Sequence, residues 1–162
     1  MAPSSLTRRP IVIQGGMGVG GSSTQLANAV ARTGQLGVVS GTALENVLTR
    51  RLQDGDPDGR LREALAALPL PGLAERILKR YYRPEGRQGG PYTPGPRPGL
   101  QYNRARDELS VASNFAEVWL AKRGHDGLVG INYLEKIQMG TPPCVYGAML
   151  AGVDYVIMGA GI

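Results

Sequence analysis

The chain has 162 residues, of which 42% are hydrophobic and 19% are charged, with a net charge of +5. This length and apolar content suit one globular domain and argue against a disordered chain. No apolar run approaches the roughly 20 residues of a membrane span, and none follows Arg8 and Arg9 in the manner of a signal peptide. The single cysteine, Cys144, excludes an intrachain disulfide framework. We therefore expect a cytoplasmic protein that does not associate with membranes.

The positive charge is concentrated in one segment of the chain. Between Arg50 and Arg106 there are 12 Lys/Arg and 6 Asp/Glu, whereas the remaining residues carry a net charge of −1. This segment contains few aromatic residues for base stacking and no recognisable nucleic-acid motif. The pattern predicts a basic insertion that faces solvent or a protein partner, and it does not favour nucleic-acid binding.

The beginning of the chain is typical of a strand, a glycine-rich turn and a helix. Ile11–Gln14 is a short β-branched run and is predicted to be a buried strand. The glycines of residues 15–21 favour a turn, and either Ser22 or Ser23 is expected to cap the helix that follows. Gly34 marks the end of that helix. Its predicted apolar stripe consists of Leu26, Ala27, Val30 and Ala31.

The second strand, Gly37–Ser40, follows so closely that the first two strands are expected to be parallel, with a right-handed crossover. The next clear strand, Leu128–Asn132, begins more than 80 residues later, so the chain contains an insertion at about residues 55–106. Other predicted elements are helices at Glu45–Gln53, Asp58–Leu68, Leu73–Tyr82, Asp107–Arg123 and Cys144–Ala151, a loop at Pro84–Gly99 and a strand at Tyr155–Met158.

This order of elements predicts an α/β fold with about four parallel strands. No covering helix follows the fourth strand, so we expect residues 9–162 to form the N-terminal half of a larger α/β domain. A complete doubly wound domain is the alternative.

The glycine-rich turn matches a nucleotide-binding pattern only in part. Gly16, Gly18 and Gly21 have the G-x-G-x-x-G spacing, which lets a pyrophosphate approach a helix N-terminus. A dinucleotide site also needs an acidic residue near the end of the second strand, and Glu45 is the first acidic residue of the chain. A different cofactor close to the backbone is therefore favoured over a dinucleotide, and a turn without any ligand remains open.

Two blocks of sequence resemble the nitronate monooxygenase family, formerly called 2-nitropropane dioxygenases. The first block runs from Pro10-Ile-Val-Ile-Gln-Gly-Gly-Met-Gly to Val38-Val-Ser-Gly-Thr42. The second contains Val129-Gly-Ile-Asn-Tyr133 and Tyr146-Gly-Ala-Met-Leu-Ala-Gly. Together they cover about residues 9–44 and 127–162, and the basic middle segment does not match the family pattern.

The resemblance implies the N-terminal half of a (β/α)8 TIM barrel that binds FMN at the carboxyl ends of its strands. The implied FMN-binding residues are Gly15, Gly16, Met17, Gly18, Thr42 and Asn132. The glycines would bring backbone amides to the flavin, Met17 would contact the ring face, and the Asn132 amide would bind ring N and O atoms. Thr42 and Ser40 are weaker candidates, and a simple strand-end turn is the alternative role of Asn132.

The implied activity is oxidation of nitronates or nitroalkanes by O₂. The resemblance places the catalytic histidine beyond Ile162, so this chain is expected to be a fragment that is inactive alone. An enoyl-acyl-carrier-protein reductase of the same family is one alternative, with the basic segment docking an acidic carrier protein. A non-catalytic half-barrel or doubly wound interaction module, which could form oligomers, is another.

Five further residues have polar or reactive side chains. His125 precedes the third strand, at the end opposite the expected site, and is predicted to be a surface turn residue. Cys144 is expected in the core, with a thiol activated by a helix N-terminus as the alternative. Lys136 and Gln138 follow the third strand, where a cation could stabilise a reduced flavin or an acidic substrate, although a solvated loop position is favoured for Lys136. Asp154 is expected to be structural.

Overall fold

Four parallel strands lie side by side in the order in which the chain forms them. The structure is a computed structural model that describes residues 9–97, 99–134, 136 and 140–159. The strands are β1 (Ile13–Gln14), β2 (Leu36–Ser40), β3 (Val129–Leu134) and β4 (Tyr155–Gly159). The helices are α1 (Thr24–Arg32), α2 (Leu44–Gln53), α3 (Arg60–Ala66), α4 (Leu73–Tyr81), α5 (Arg104–Ala121) and α6 (Thr141–Leu150). The sheet curls into a half-barrel, which confirms the predicted fold class.

The prediction of a buried first strand was wrong. Only Ile13–Gln14 is strand, and Ile11 and Ile13 are 92% and 57% exposed. β1 lies at an edge of the sheet, so β2 is its only described neighbour. In place of a strand partner, the side-chain oxygen of Gln35 accepts hydrogen bonds from the N–H groups of Ile11 and Val12.

Helix α1 begins and ends at the residues expected from its sequence. The Ser23 hydroxyl accepts a hydrogen bond from the N–H of Leu26, and Gly34 takes a left-handed conformation just after the helix. The buried face differs from the predicted stripe, because Leu26 is 43% exposed and Thr24 is buried instead. The small residue Ala27 faces the sheet, where a Cβ at Gly37 would overlap the Ala27 backbone. Helix and sheet therefore approach each other closely.

The convex face of the sheet is covered by helices. Val39, Val129 and Ile131 pack among residues from α1, α5 and α6. The concave face carries a smaller apolar cluster of Leu36, Val38 and Leu128, against which Ile157 packs. Successive side chains of β2 and β3 thus point alternately into these two apolar layers, as expected for a barrel wall.

The two helices predicted within the insertion are present, and they add to the apolar core of the protein. Helices α3 and α4 pack against α2 and α5 around a buried apolar cluster that includes Leu65, Ile77 and Phe115. The buried Asp56 carboxylate accepts hydrogen bonds from the backbone and side chain of Arg62. The predicted loop between α4 and α5 is confirmed over its described residues. The insertion therefore adds a second helical layer over the centre of the sheet.

Within the described part of the chain, no helix is both long and apolar enough to span a membrane.

Candidate cofactor site at the carboxyl ends of the strands

The turn after β1 is held by two polar side chains, Gln14 and Ser22. The Gln14 side chain accepts a hydrogen bond from the N–H of Val38 and donates one to the Gly15 carbonyl. The Ser22 hydroxyl accepts from the N–H of Met17 at 2.9 Å and donates to the Gly15 carbonyl at 3.2 Å. The backbone hydrogen bonds between β1 and β2 end at Gln14. The side-chain bonds of Gln14 and Ser22 continue from there and fix the glycine-rich turn above the sheet.

Gly16 is the buried point of this turn. A Cβ atom at this position would lie 2.6 Å from the carbonyl oxygen of Val39, so only glycine fits against β2. Gly16 also faces β3, because its carbonyl oxygen accepts a hydrogen bond of 2.7 Å from Nδ2 of Asn132. The structure therefore brings together two of the predicted site residues, which are 116 positions apart in the chain.

The other end of the Asn132 amide has no partner. Because a carbonyl oxygen can only accept, the amide nitrogen must face Gly16, which leaves Oδ1 on the opposite side. Oδ1 is buried and receives no hydrogen bond from any described residue. Gly159 of the neighbouring strand lies close by, and a Cβ there would stand 3.5 Å from Oδ1. A buried acceptor without a donor is costly, so a donor from a bound molecule would stabilise this site.

The remaining residues of the turn border open space. Gly15 has no atom within 4 Å of the position its Cβ would take, and Met17 is 69% exposed. Gly18 takes a positive φ of 72°, which favours glycine. Within the described chain, no group accepts a hydrogen bond from the N–H of Gly15, Gly16 or Gly18. The N–H of Met17 is already used by Ser22, so it is not free to bind a ligand.

The end of β2 lies beside Asn132. Ser40 is paired in register with Asn132, and its hydroxyl accepts a hydrogen bond of 3.4 Å from the N–H of Thr42. Gly41 donates its N–H to the Asn132 carbonyl at 2.8 Å. Thr42 is half-buried at the edge of the half-barrel formed by the carboxyl ends of the strands, which we call the rim, as predicted. Among the described contacts, its side chain reaches neither the glycine turn nor Asn132.

A buried polar network supports the rim from the helix side. The Tyr133 hydroxyl donates to Oδ1 of Asn114 at 2.9 Å, and the Asn114 amide donates to the Ser110 carbonyl at 2.8 Å. The Ser110 hydroxyl in turn donates to Glu45 at 2.6 Å. Burial raises the pKa of Tyr133, so its hydroxyl stays a donor. Asn132 and Tyr133 are consecutive, so this network fixes the strand end that carries the unpartnered amide oxygen.

Cys144 belongs to this buried network and is not an activated thiol. It is 9% exposed, and its sulfur lies 3.7 Å from an oxygen of Glu45. Burial, with the nearby Glu45 charge, raises the pKa of Cys144 to about 12. The core position is therefore confirmed, and the raised pKa of Cys144 is opposite to the lowered pKa that activation by the N-terminus of α6 requires.

The other predicted residues fall outside the site. Nε2 of His125 lies 2.8 Å from the Ala121 carbonyl and Nδ1 accepts from Gly127, which confirms a turn residue at the far end of β3. Asp154 binds Lys122 and the N–H of Val129, which confirms a structural role. Lys136 is exposed, and Gln138 lies outside the described residues.

Two surface clefts of the protein lie away from the rim. One, of about 350 Å³, is lined by residues of α4 and α5 such as Leu73 and Glu108, and the other, of about 370 Å³, includes Asn28 and Arg32. Among the described residues, only half of a barrel wall surrounds the rim, so these residues form an open surface.

Sequence reasoning missed Gln14 and the residues of the buried network. A polar residue that ends an apolar strand was the available signal for Gln14. Asn114 and Glu45 lie within helices whose sequence patterns carry no sign of a contact with β3.

No protein-family model, curated protein or solved structure matches the chain significantly. Its function therefore has to be inferred from the site.

Proposed function

We propose that the chain forms the FMN-binding half of a flavin-dependent oxidoreductase that resembles nitronate monooxygenases. The observation that carries this proposal is Oδ1 of Asn132, which is buried near the carboxyl end of β3 and receives no hydrogen bond from any described residue. A planar ring that carries both N–H and C=O groups at its edge is a suitable partner for this position.

The residues at the rim fit a flavin. Asn132 would accept a hydrogen bond from a ring N–H, and the free N–H groups of Gly15 and Gly18 would donate to ring oxygens. The exposed Met17 side chain offers a polarizable contact for the ring face. Bound FMN supplies electron transfer, whereas the protein binds, orients and shields it.

The assignment to nitronate oxidation rests on the sequence resemblance. The chain's own residues suit cofactor binding more than proton abstraction, because the one histidine, His125, is tied into a turn at the opposite end of β3. In this proposal the described residues hold the flavin and form one wall of the space for the acidic substrate. The proton-accepting group comes from outside them.

Titration of the purified chain with FMN, followed by quenching of flavin fluorescence, tests cofactor binding. Replacement of Asn132 by alanine removes both the acceptor and the bond to Gly16, so we expect a dissociation constant about tenfold higher, or about 1.4 kcal/mol. The matched control is Asn46→Ala, which removes an exposed amide on α2 and should not change affinity. A folded chain that does not bind FMN, or equal affinities for the two variants, would contradict the proposal.

Oxygen consumption tests the reaction class separately. An enzyme that contains these residues together with the proton-accepting group is loaded with FMN and mixed with a nitronate, with and without a nicotinamide donor. Nitronate oxidation needs no nicotinamide, so O₂ uptake that depends on NAD(P)H would contradict this assignment even if FMN binds.

A further inference from the structure

The cleft that includes Asn28 and Arg32 is lined by three arginines, and none of its described lining residues is acidic. The arginines come from three places in the chain, because Arg32 ends α1, Arg60 begins α3 and Arg123 follows α5. The volume of the cleft is about 370 Å³, which lies in the range of small-molecule sites. Like charges that share one cleft repel each other, so a bound anion would stabilise this part of the protein.

The other cleft, of about 350 Å³, differs because its arginines are neutralised within the protein. Arg76 and Arg104 line it together with Glu108, and the Glu108 carboxylate forms an ion pair with each of them. The lack of an acidic lining residue in the first cleft is therefore not a general consequence of the basic composition.

The guanidinium group of Arg32 is held in a fixed orientation by uncharged groups. Its Nε donates to Oδ1 of Asn28 at 2.8 Å, and its Nη2 donates to the Arg123 carbonyl at 3.2 Å. The carbonyls of Ala121 and Arg123 fix the Asn28 amide in turn. Gly124 leaves room for the guanidinium, because a Cβ atom there would lie 2.8 Å from Nη2. Arg32 is thus positioned in advance, and none of these bonds neutralises its charge.

Arg60 and Arg123 differ in how far their charges are compensated. Arg123 forms a bidentate ion pair with Glu63. In contrast, no described residue forms an ion pair with Arg60 or accepts a hydrogen bond from its side chain. Arg60 does act on the buried Glu117, but burial raises the pKa of Glu117 to about 7, so this carboxyl is mostly protonated in slightly acidic solution. Arg32 and Arg60 are therefore the two guanidinium groups of the cleft that lack an ion pair.

We propose that this cleft binds a phosphate group, carried either by inorganic phosphate or by a small phosphorylated molecule. A phosphate monoester has a charge of about −1.5 to −2 at pH 7, which matches the charges of Arg32 and Arg60. Guanidinium groups bind phosphate oxygens through two parallel N–H bonds, so they suit this ligand better than an ammonium group would. The amide of Gln25 also lines the cleft and can bind the rest of a phosphorylated molecule.

The proposed phosphate site is separate from the candidate cofactor site. Arg32 and Arg123 precede β2 and β3, so they lie near the amino ends of these strands, whereas Gly16 and Asn132 lie at the rim. A molecule in the cleft therefore does not occupy the space of a molecule at the rim. The inference goes beyond the proposed function and does not depend on it.

Isothermal titration calorimetry of the purified full chain tests the proposal. The probes are inorganic phosphate and glycerol 3-phosphate, in a phosphate-free buffer of constant ionic strength and without FMN. The expected result is one saturable site with a dissociation constant on the order of 1 mM or lower for at least one probe. The tighter probe then identifies the carrier of the phosphate group. No saturable binding of either probe, or tighter binding of the dicarboxylate succinate, would overturn the proposal.

Charge-removing substitutions locate the binding site. Arg60→Gln and Arg32→Gln should each raise the dissociation constant at least about tenfold, whereas Arg60→Lys should have a smaller effect because it keeps the charge. The matched control is Arg80→Gln, since Arg80 is exposed on α4 outside the cleft and its replacement changes the net charge equally. Circular dichroism verifies that each variant is folded. Equal affinities of folded Arg60→Gln and Arg80→Gln would show that binding follows overall charge, and would overturn the proposal.

Discussion

Gly41 lies directly against the ring of Tyr133, and a Cβ atom at position 41 would overlap the edge of that ring. The same atom would stand 2.9 Å from the carbonyl oxygen of Asn132. Tyr133 cannot easily move aside, because its hydroxyl is bonded to the buried Asn114. The turn after β2 is therefore locked to the strand end that carries Asn132.

Gly41→Ala should destabilise the protein by about 1–3 kcal/mol, because the extra methyl group must displace a packed ring or the β3 backbone. Urea unfolding measures this as a lower transition midpoint. Gly99→Ala is the control, since a Cβ at position 99 meets no atom within 4 Å. Equal midpoints for the two variants would show that Tyr133 can move and does not lock the turn.

Local signals in the sequence predict most elements of this fold well. The Ser23 cap, Gly34 and the apolar run of β2 act within a few residues, so the bounds of α1 and β2 match the predicted ones closely. The exposure of Ile11–Ile13 could not be predicted in the same way. A β-branched run has the same composition whether or not a neighbouring strand covers it, and that neighbour is not encoded in the run itself.

The candidate site, too, could be predicted only in part from the sequence. The position of Asn132 near the carboxyl end of β3 follows from the strand pattern, which places it at the rim with Gly16 and Thr42, although β3 continues to Leu134 and the predicted strand ended at Asn132. Its bond to Gly16 and its free Oδ1 depend on the register of three strands, which a single segment does not specify. The charge count of the insertion likewise did not predict the pairing of Asp56 with Arg62.

Cys144 should react very slowly with thiol reagents in the folded protein. Its pKa of about 12 leaves on the order of one thiolate in ten thousand near pH 8, and the sulfur is largely buried. Cys144 is the only cysteine, so labelling reports on this position alone. We expect the rate to follow unfolding and to become fast in urea. Leu100→Cys provides an exposed thiol for comparison, and native labelling of Cys144 at a similar rate would contradict this burial.

Gln53 should hold the loop of the insertion in place. Its buried side chain accepts a hydrogen bond of 2.7 Å from the N–H of Thr93 and donates one of 3.1 Å to the Thr93 carbonyl. Gln53→Ala removes both bonds, so we expect a loss of about 1–3 kcal/mol and faster tryptic cleavage after Arg87. Gln25→Ala, an exposed substitution on α1, should leave cleavage unchanged. Equal cleavage rates would mean that Arg87 and Tyr92 hold the loop without Gln53.

Glu117 should make the protein less stable as the pH rises. It lies on α5 and is 6% exposed, and burial raises its pKa from 4.5 to about 7 despite the opposing charges of Arg51 and Arg60. Below pH 4.5 the carboxyl is protonated in both the folded and the unfolded chain, so it carries no penalty. Between pH 4.5 and about 7 only the unfolded chain loses its proton, so the free energy of unfolding falls, by about 3 kcal/mol in total.

Glu117→Gln removes this titration while keeping the shape of the side chain. Relative to the unsubstituted protein, the variant should gain stability as the pH rises from 4.5 to about 7, and the gain should then level off. Urea unfolding of both proteins across this range measures the difference and cancels the titration of the other groups. Glu75→Gln, an exposed change on α4, should show no such gain. A stability difference between Glu117→Gln and the unsubstituted protein that does not vary with pH would mean that Arg51 and Arg60 keep the Glu117 carboxylate charged in the fold.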